Sequence, residues 1–415
     1  MAEDLERERA EPEAVGPPRP GMSRLDRIQA ERGRRRRRFA HRFALSLLVV
    51  VVVATGVIGV KLWHTMFGSG DDYTGSGKQD IMIQVQAGDS TTAIGETLLS
   101  KGVIATVKAF VRAARGNAAI SAIQPGYYRM RTEIPAAAAV ARLTNPNYRV
   151  GRLVIPEGRQ LDDTTDMKTN AVTPGVLTLI SKATCMDLDG DRHCVSADDL
   201  RKAAASSTPA TLAVPPWAIQ AVTELGNDHR RIEGLIAPGT FDVDPSASAQ
   251  TILASLIAAG AAEYTKSGLV DTAAAEGLSP YDILVVASLV QQEAKSQDFA
   301  KVAQVIYNRL HEHRTLEFDS TVNYPLDRRE VATSDADRAQ RTHWNTYVSQ
   351  GLPATAICSP GVDALRAAEH PEPGDWLYFV TIDAQGTTLF TRDYKQHLAN
   401  IELAKHNGVL DSTPR

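Results

Sequence analysis

One carboxyl group in this sequence is placed where it could do acid–base chemistry. Glu293 follows an apolar run, residues 283–290, that is preceded by Ser279, Pro280 and Asp282. Serine as N-cap, proline at the first helical position and aspartate at the third predict a helix beginning at residue 280. Because this helix is apolar nearly all round, we expect it to be buried. Burial and the negative end of the helix dipole both raise the pKa of a terminal carboxyl, as a general acid near neutral pH requires.

Periodicity alone does not establish this role, because a glutamate in the last turn of a helix is more often a solvated residue. Three other segments supply polar groups that are typical of a sugar site, although each taken singly is more typical of turns. Residues 232–241 contain Glu233 among glycine and proline, and residues 316–324 mix apolar and hydrogen-bonding side chains. Residues 344–347 read Trp-Asn-Thr-Tyr, which offers amide and hydroxyl hydrogen bonds beside an aromatic face.

The N-terminal part of the chain predicts a membrane anchor. Residues 1–42 are rich in arginine, charged and expected to be disordered. The next eighteen residues, 43–60, contain no ionisable group, and as a helix they would span roughly 27 Å, close to a hydrocarbon core. Because cationic residues are retained inside, we expect a transmembrane helix over 43–63 with the N-terminus cytoplasmic. A cleaved signal peptide is the alternative, disfavoured by the length of the apolar run and the polar residues before it.

Charge distribution argues against a nucleic-acid partner. The net charge of the chain is −4. Residues 1–42 carry twelve arginines against eight acidic residues, so the part beyond Lys61 sums to −9. An acidic folded part does not suit the binding of DNA or RNA.

Cysteine usage fits a domain outside the cytoplasm. Cys185 and Cys194 flank an eight-residue polar segment, where an exported protein could form a disulfide. Cysteine–histidine metal binding is the alternative, but the spacing is not that of a usual zinc site. We therefore expect no metal.

The pattern of the remaining chain predicts an α+β fold in several parts. A linker over 64–80 precedes a strand–helix–helix–strand unit, residues 81–150, that resembles a small LysM-like glycan-binding module. A strand over 149–155 leads into a catalytic domain, residues 151–405, followed by a tail over 406–415. Residues 164–207, polar and containing the cysteine pair, are expected to be a surface insertion.

Five motifs together resemble those of the YceG-like (MltG) endolytic murein transglycosylases. They are the Glu-Gly turn at 233–234 with Pro238, the helix segment 287–293, Tyr-Asn-Arg-Leu at 307–310, Asp-Ser-Thr-Val at 319–322, and Asn-Thr-Tyr at 345–347 with Gly-Leu-Pro at 351–353 and Ser-Pro-Gly at 359–361. Their order matches over about residues 150–405, and the predicted anchor and LysM-like unit match the family architecture. The sequence departs from the family at Gln291, where the family usually has a glutamate.

The resemblance implies that Glu293 is the catalytic glutamate of a lyase that needs no cofactor. It would cleave the bond between N-acetylmuramic acid and N-acetylglucosamine within a glycan strand and leave 1,6-anhydro ends. The family acts on nascent strands at the plasma membrane, so peptidoglycan synthases or divisome proteins are expected partners. The candidate substrate contacts are Glu233, Gln291, Asp319, Thr321, Asn345, Thr346 and Tyr347.

Two alternatives stay open. A muramidase would use water, with Glu233 or Asp319 as its second carboxylate. A non-enzymatic glycan-binding scaffold of the cell-wall machinery would need none of these groups for catalysis.

Overall fold

The structure, a computed structural model, describes residues 72–115, 117–276, 278–329 and 333–409. The predicted tail and membrane helix, residues 1–42 and 43–63, lie outside these ranges. Within them, no helix is both long enough and apolar enough to cross a membrane. The architecture is α+β, with helices interspersed among small sheets.

The helices are α1 (Thr91–Ser100), α2 (Val107–Arg115), α3 (Ala136–Leu143), α4 (Val176–Thr184), α5 (Ala197–Ser206), α6 (Ile219–Glu224), α7 (Ala249–Ser267), α8 (Leu269–Glu276), α9 (Pro280–Glu293), α10 (Phe299–His311), α11 (Asp319–Asn323), α12 (Asp335–Arg338), α13 (Val362–Glu369) and α14 (Tyr394–His406). The strands are β1 (Asp80–Val85), β2 (Gly126–Arg131), β3 (Arg149–Val150), β4 (Arg152–Ile155), β5 (Thr164–Asp166), β6 (Val172–Thr173), β7 (Met186–Leu188), β8 (Asp191–His193), β9 (Gly239–Asp242), β10 (Arg328–Arg329), β11 (Tyr378–Thr381) and β12 (Thr388–Thr391).

The first part of the described chain has its own hydrophobic core. Strands β1, β2 and β3 form an antiparallel sheet in that order, and α1 to α3 bury residues such as Leu98, Phe110 and Val140 against it. Ser90 caps α1, its side chain accepting a hydrogen bond from the Ala93 amide. The predicted strand–helix–helix–strand order is therefore present, while its glycan-binding role stays a prediction.

The expected strand over 149–155 is broken at Gly151 into β3 and β4. Gly151 has φ +73°, and a Cβ there would lie 2.0 Å from the Val243 carbonyl oxygen. Because only glycine tolerates this conformation and this contact, the chain turns here. Strand β3 joins the first sheet, and β4 pairs instead with β9.

A larger hydrophobic core extends over residues 153–368 and has α9 near its centre. Every residue from 283 to 290 of this helix is buried, and α9 packs against α8, α10 and α13. Its start is as predicted. Ser279 and Asp282 form a capping box, and Pro280 occupies the first turn.

The expectation of a surface insertion over residues 164–207 is wrong. Helices α4 and α5 lie within this stretch, and each contributes fully buried side chains, Leu177 and Ile180 from α4 and Leu200 from α5, to the larger core. The apolar face of each helix was diluted by polar residues in the sequence, so its burial was not evident. The exposed parts are residues 167–172 and strand β8 of the short β7–β8 hairpin, which the Cys185–Cys194 disulfide closes.

Candidate active site

Glu293 lies at the last helical position of α9, where the buried helix reaches a more open surface. Its side chain is half-buried, and the Ser320 hydroxyl donates a hydrogen bond to its Oε1. Ser320 belongs to the short helix α11. Thus a helix from the core and a short helix after a loop bring a carboxyl and a hydroxyl together.

Several influences set the protonation state of Glu293. Burial raises its pKa to about 7, and the negative charge of Asp319 acts in the same direction, while hydrogen bonds from the Ser320 side chain and main chain oppose both. At neutral pH both forms of the carboxyl are therefore populated. This is the condition for one group to give a proton and later accept one.

Asp319 is held beside this pair by three donors. The Arg338 Nη2 lies 3.1 Å from each carboxylate oxygen, and the Tyr347 hydroxyl donates to Oδ1 at 2.9 Å. The Thr333 hydroxyl donates to the same oxygen. The Arg338 guanidinium also lies 4.9 Å from the centroid of the Tyr347 ring. These donors fix the position of the Asp319 carboxylate near Glu293.

Three of the predicted contact residues, Thr321, Asn345 and Thr346, are buried and bind protein atoms. The hydroxyls of Thr321 and Thr346 are 2.9 Å apart, and Thr346 Oγ1 accepts from the Phe318 amide. Asn345 Nδ2 donates to the carbonyls of Arg338 and Gln340 at 2.9 and 2.6 Å. These bonds fasten the segment before α11 to the segment after α12. They position Asp319, Ser320 and Tyr347, and direct sugar contact by the three stays a prediction.

The last turn of α9 also binds two loops. The Gly361 amide donates to Gln291 Oε1 at 2.8 Å, and Gln292 Nε2 donates to the Gly158 carbonyl at 2.9 Å. The two loops also bind each other, because the Gly158 amide donates to the Ser359 carbonyl at 2.8 Å. Gln291, where the resemblance leads one to expect a glutamate, serves here as an acceptor for a main-chain amide.

Glu233 lies in the interior, with different partners. It is fully buried, and its Oε2 accepts from the Leu161 amide at 3.0 Å and from the Tyr324 hydroxyl at 2.8 Å. Burial raises its pKa to about 8, so it is mainly protonated at neutral pH. The structure joins it to Tyr324 and Leu161, whereas Glu293 is joined to Ser320.

Sequence reasoning placed Glu293, Asp319 and Tyr347 together but missed Ser320, Arg338 and Thr333. Ser320 belongs to the Asp-Ser-Thr-Val motif at residues 319–322, and its position next to the candidate carboxylate Asp319 is the sequence signal that points to it. No sequence signal points to Arg338, because it lies 19 positions after Asp319 along the chain and only the fold brings the two together. Among the residues that the structure describes, no three His, Cys, Asp or Glu side chains cluster as a metal site would require.

Known proteins are similar to this chain in sequence and in fold. Over 328 residues, 77% of its length, the chain is 27% identical to the endolytic murein transglycosylase of Bacillus subtilis, and the match spans 83% of that protein. It is 24% identical over 340 residues to the endolytic murein transglycosylase of Streptococcus pneumoniae serotype 2, but spans only 58% of that longer protein. A crystal structure of a yceG-like protein from Listeria monocytogenes covers 78% of this chain with a TM-score of 0.50 and 23% identity, and 99% of that chain is matched. The chain belongs to the YceG-like family, whose sequence model matches residues 83–403.

Proposed function

We propose that this chain is an endolytic murein transglycosylase with Glu293 as its catalytic acid and base. The observation that carries the proposal is the half-buried Glu293 carboxyl at the end of a helix enclosed by the core. Burial raises the pKa of this carboxyl to about 7. Membership of the YceG-like family and the names of the Bacillus and Streptococcus relatives support the choice of substrate.

The reaction needs only one carboxyl group. Protonated Glu293 gives its proton to the oxygen that links N-acetylmuramic acid to N-acetylglucosamine, and the bond from the muramyl anomeric carbon to that oxygen breaks. The Glu293 carboxylate then takes the proton from the muramyl 6-hydroxyl, whose oxygen bonds to the anomeric carbon. No water is consumed, and the new end is a 1,6-anhydro sugar.

Asp319 and Tyr347 would act on the charge that develops on the sugar. The transition state resembles an oxocarbenium ion, which a fixed carboxylate nearby stabilises electrostatically. The Arg338 guanidinium, 3.1 Å away, holds the Asp319 carboxylate in place. Tyr347, already donating to Asp319, presents an aromatic ring beside it for a sugar.

A muramidase that uses water remains the second candidate, favoured by one observation. Asp319 lies close enough to Glu293 to raise its pKa, so a second carboxylate is at hand. Glu233, the other group considered for this role, is fully buried and hydrogen-bonded elsewhere. The chemistry of the new strand ends separates the two reactions.

Replacement of Glu293 tests whether the chain is an enzyme. We expect Glu293→Gln to lower the cleavage of purified murein by at least about 10²-fold, because the proton donor is lost. Glu263→Gln, an exposed change on α7, is the matched control and should cleave normally. If Glu293→Gln cleaved at the control rate while both variants were folded, the scaffold hypothesis would replace the enzyme.

We also propose that residues 43–63 anchor the chain in the plasma membrane, with the folded part outside and its first core binding glycan as a LysM-like module. The apolar run, the arginines before it and the disulfide in the folded part support this arrangement. Extraction of cell membranes at alkaline pH should leave the full chain with the lipid and release a chain that begins at residue 64. Release of the full chain as well would contradict the anchor.

A further inference from the structure

A polar cavity lies away from Glu293, between the first core and the disulfide-closed hairpin. Its volume is about 390 Å³. The polar side chains that line it are Arg129, Asn147, Arg149, Arg152, Lys182 and Asp187. None of them belongs to the group of residues around Glu293. Four of these six side chains are cationic, whereas the chain beyond Lys61 has a net charge of −9.

Two of the four cations are held by protein partners. Arg149 Nη2 donates to both oxygens of Asp242, at 2.8 and 3.0 Å, and to the Pro125 carbonyl. Arg129 Nη1 donates to the Asp187 carbonyl at 2.9 Å. These bonds hold both guanidinium groups in place. They also leave the Arg149 Nε buried and without a hydrogen-bond acceptor.

The other two cations, Arg152 and Lys182, are exposed. In the part of the chain that the structure describes, neither side chain forms an ion pair or a hydrogen bond. Asp187 is the one acidic residue that lines the cavity. The cavity therefore carries an excess of positive charge that no protein group neutralises.

The walls of the cavity are joined by contacts distant in sequence. The Asp80 amide donates to the Asp189 carboxylate at 2.9 Å, and the Asp189 amide donates to the Asp80 carboxylate at 3.1 Å. The Cys185–Cys194 disulfide closes the hairpin that carries Asp187 and Asp189. These contacts fix the main chain of the elements that surround the cavity relative to one another.

We propose that this cavity binds oxyanions, the carboxylate or phosphate groups carried by a murein strand, through Arg152 and Lys182. Arginine and lysine side chains bind both kinds of group through charge-assisted hydrogen bonds. A murein strand carries carboxylates on its peptide stems, and a nascent strand also carries a diphosphate at its lipid-linked end. The identification of the murein strand as the source of the oxyanion rests on the proposed function, whereas the oxyanion site itself does not. Such a site would hold a strand by its substituents while Glu293 acts on the sugars.

Inorganic pyrophosphate is the first probe, measured by calorimetry with the full chain in detergent. We expect binding that weakens with salt and that falls by about tenfold or more in the double variant Arg152→Gln/Lys182→Gln, because each lost contact is charge-assisted. The matched control is Lys202→Gln/Arg366→Gln, which removes two exposed charges outside the cavity and should bind within about twofold of the unaltered chain.

Murein strands then identify the source of the oxyanion. If the peptide carboxylates are bound, removal of the stems by an amidase weakens binding of the unaltered chain but not of the double variant. If the diphosphate is bound, lipid-linked strands bind more tightly than free ones, again only with Arg152 and Lys182 present. Equal binding of pyrophosphate by the double variant and the unaltered chain would overturn the proposal. Cleavage of short peptide-free strands is measured in parallel, so a failure of the Glu293 chemistry is recognised separately.

Discussion

The protonation state of Glu293 depends on effects that shift its pKa in opposite directions. Burial and the charge of Asp319 favour the neutral acid, whereas two hydrogen bonds from Ser320 favour the carboxylate. The result, a pKa of about 7, suits a group that must be an acid in one step and a base in the next. Ser320 is thus a positioning residue, because it acts on the reaction through Glu293.

Ser320→Ala should shift the pH dependence of cleavage. Removal of a hydrogen bond that stabilises the carboxylate raises the pKa of Glu293, so the alkaline limb of kcat/KM moves to higher pH. One charge-assisted bond corresponds to about one pH unit. A pH–rate profile on purified murein measures this, and Ser320→Thr, which keeps the hydroxyl, should restore the original limb. An unchanged profile in Ser320→Ala would show that the serine has no such role.

Asp319→Asn should move the same limb in the opposite direction. Loss of the neighbouring negative charge lowers the pKa of Glu293, so the protonated acid disappears at lower pH. The maximal rate should also fall, because the charge that faces the developing oxocarbenium ion is gone. A limb displaced to higher pH in this variant would contradict the account of the Glu293 pKa.

At the scale of elements, local signals were sufficient for some parts and insufficient for others. The start of α9 followed from Ser279, Pro280 and Asp282, since capping involves only neighbouring residues. The burial of α4 and α5 could not be derived in this way, because it depends on partners distant in sequence. The interior position of Glu233 could not be predicted for the same reason, because its hydrogen-bond partner Tyr324 is 91 positions away in the sequence.

Helix α7 gives a prediction in which packing outweighs helix propensity. A Cβ on Gly260 would lie 2.3 Å from the Leu235 carbonyl oxygen and 3.0 Å from the Ala237 amide nitrogen. Replacement of a helical glycine by alanine normally stabilises by about 0.8–1 kcal/mol. Here the close backbone should reverse the sign, and we expect Gly260→Ala to cost about 1–3 kcal/mol of unfolding free energy.

Urea denaturation measures this change. Ala262→Ser, an exposed substitution on the same helix, should stay within about 0.5 kcal/mol of the unaltered chain. A more stable Gly260→Ala variant would mean that α7 can move away from the segment after Glu233.

At the scale of the whole molecule, a buried polar network links the segments around Glu233. Tyr324 donates to Glu233, which is neutral at pH 7, while nearby Asp162 is charged. Burial opposes that charge, but hydrogen bonds from His229 and Arg201 lower the pKa of Asp162 to about 2. The pKa values of two buried carboxyl groups, Glu233 and Asp162, are therefore shifted in opposite directions.

The raised pKa of Glu233 makes stability depend on pH. In the unfolded chain its pKa returns to about 4.5, against about 8 when folded, so the folded state binds more protons between these values. Its stabilising contribution is complete below pH 4.5 and is lost as the pH rises through 8. Asp162 titrates below this window and does not contribute to it.

We expect the thermal midpoint of the unaltered chain to fall from pH 5 to pH 8, and Glu233→Gln to remove most of that slope. Glutamine stays neutral, and its oxygen can still accept from the Leu161 amide and the Tyr324 hydroxyl. Glu293→Gln is the comparison variant. It removes a smaller rise in pKa, to about 7, and should therefore reduce the slope less. If Glu233→Gln kept the full slope, the folded chain would not hold a protonated carboxyl at this position.

The candidate site as a whole could be predicted only in part. Glu293, Asp319 and Tyr347 stand in motifs that pointed to them, but the salt bridge from Arg338 and the hydrogen bond from Thr333 complete the site through a fold that no local pattern specifies. Thr321, Asn345 and Thr346 share those motifs and hold the segments together. A motif therefore marks the location of the site without separating catalytic groups from supporting ones.

The central claim is that Glu293 takes the second proton from the sugar itself and not from water. Mass spectrometry of the strand ends released from purified murein tests this most directly. The account predicts 1,6-anhydromuramyl ends, one water lighter than reducing ends, from the unaltered chain and almost none from Glu293→Gln. Reducing muramyl ends from the unaltered chain, or anhydro ends in equal amount from Glu293→Gln, would contradict it.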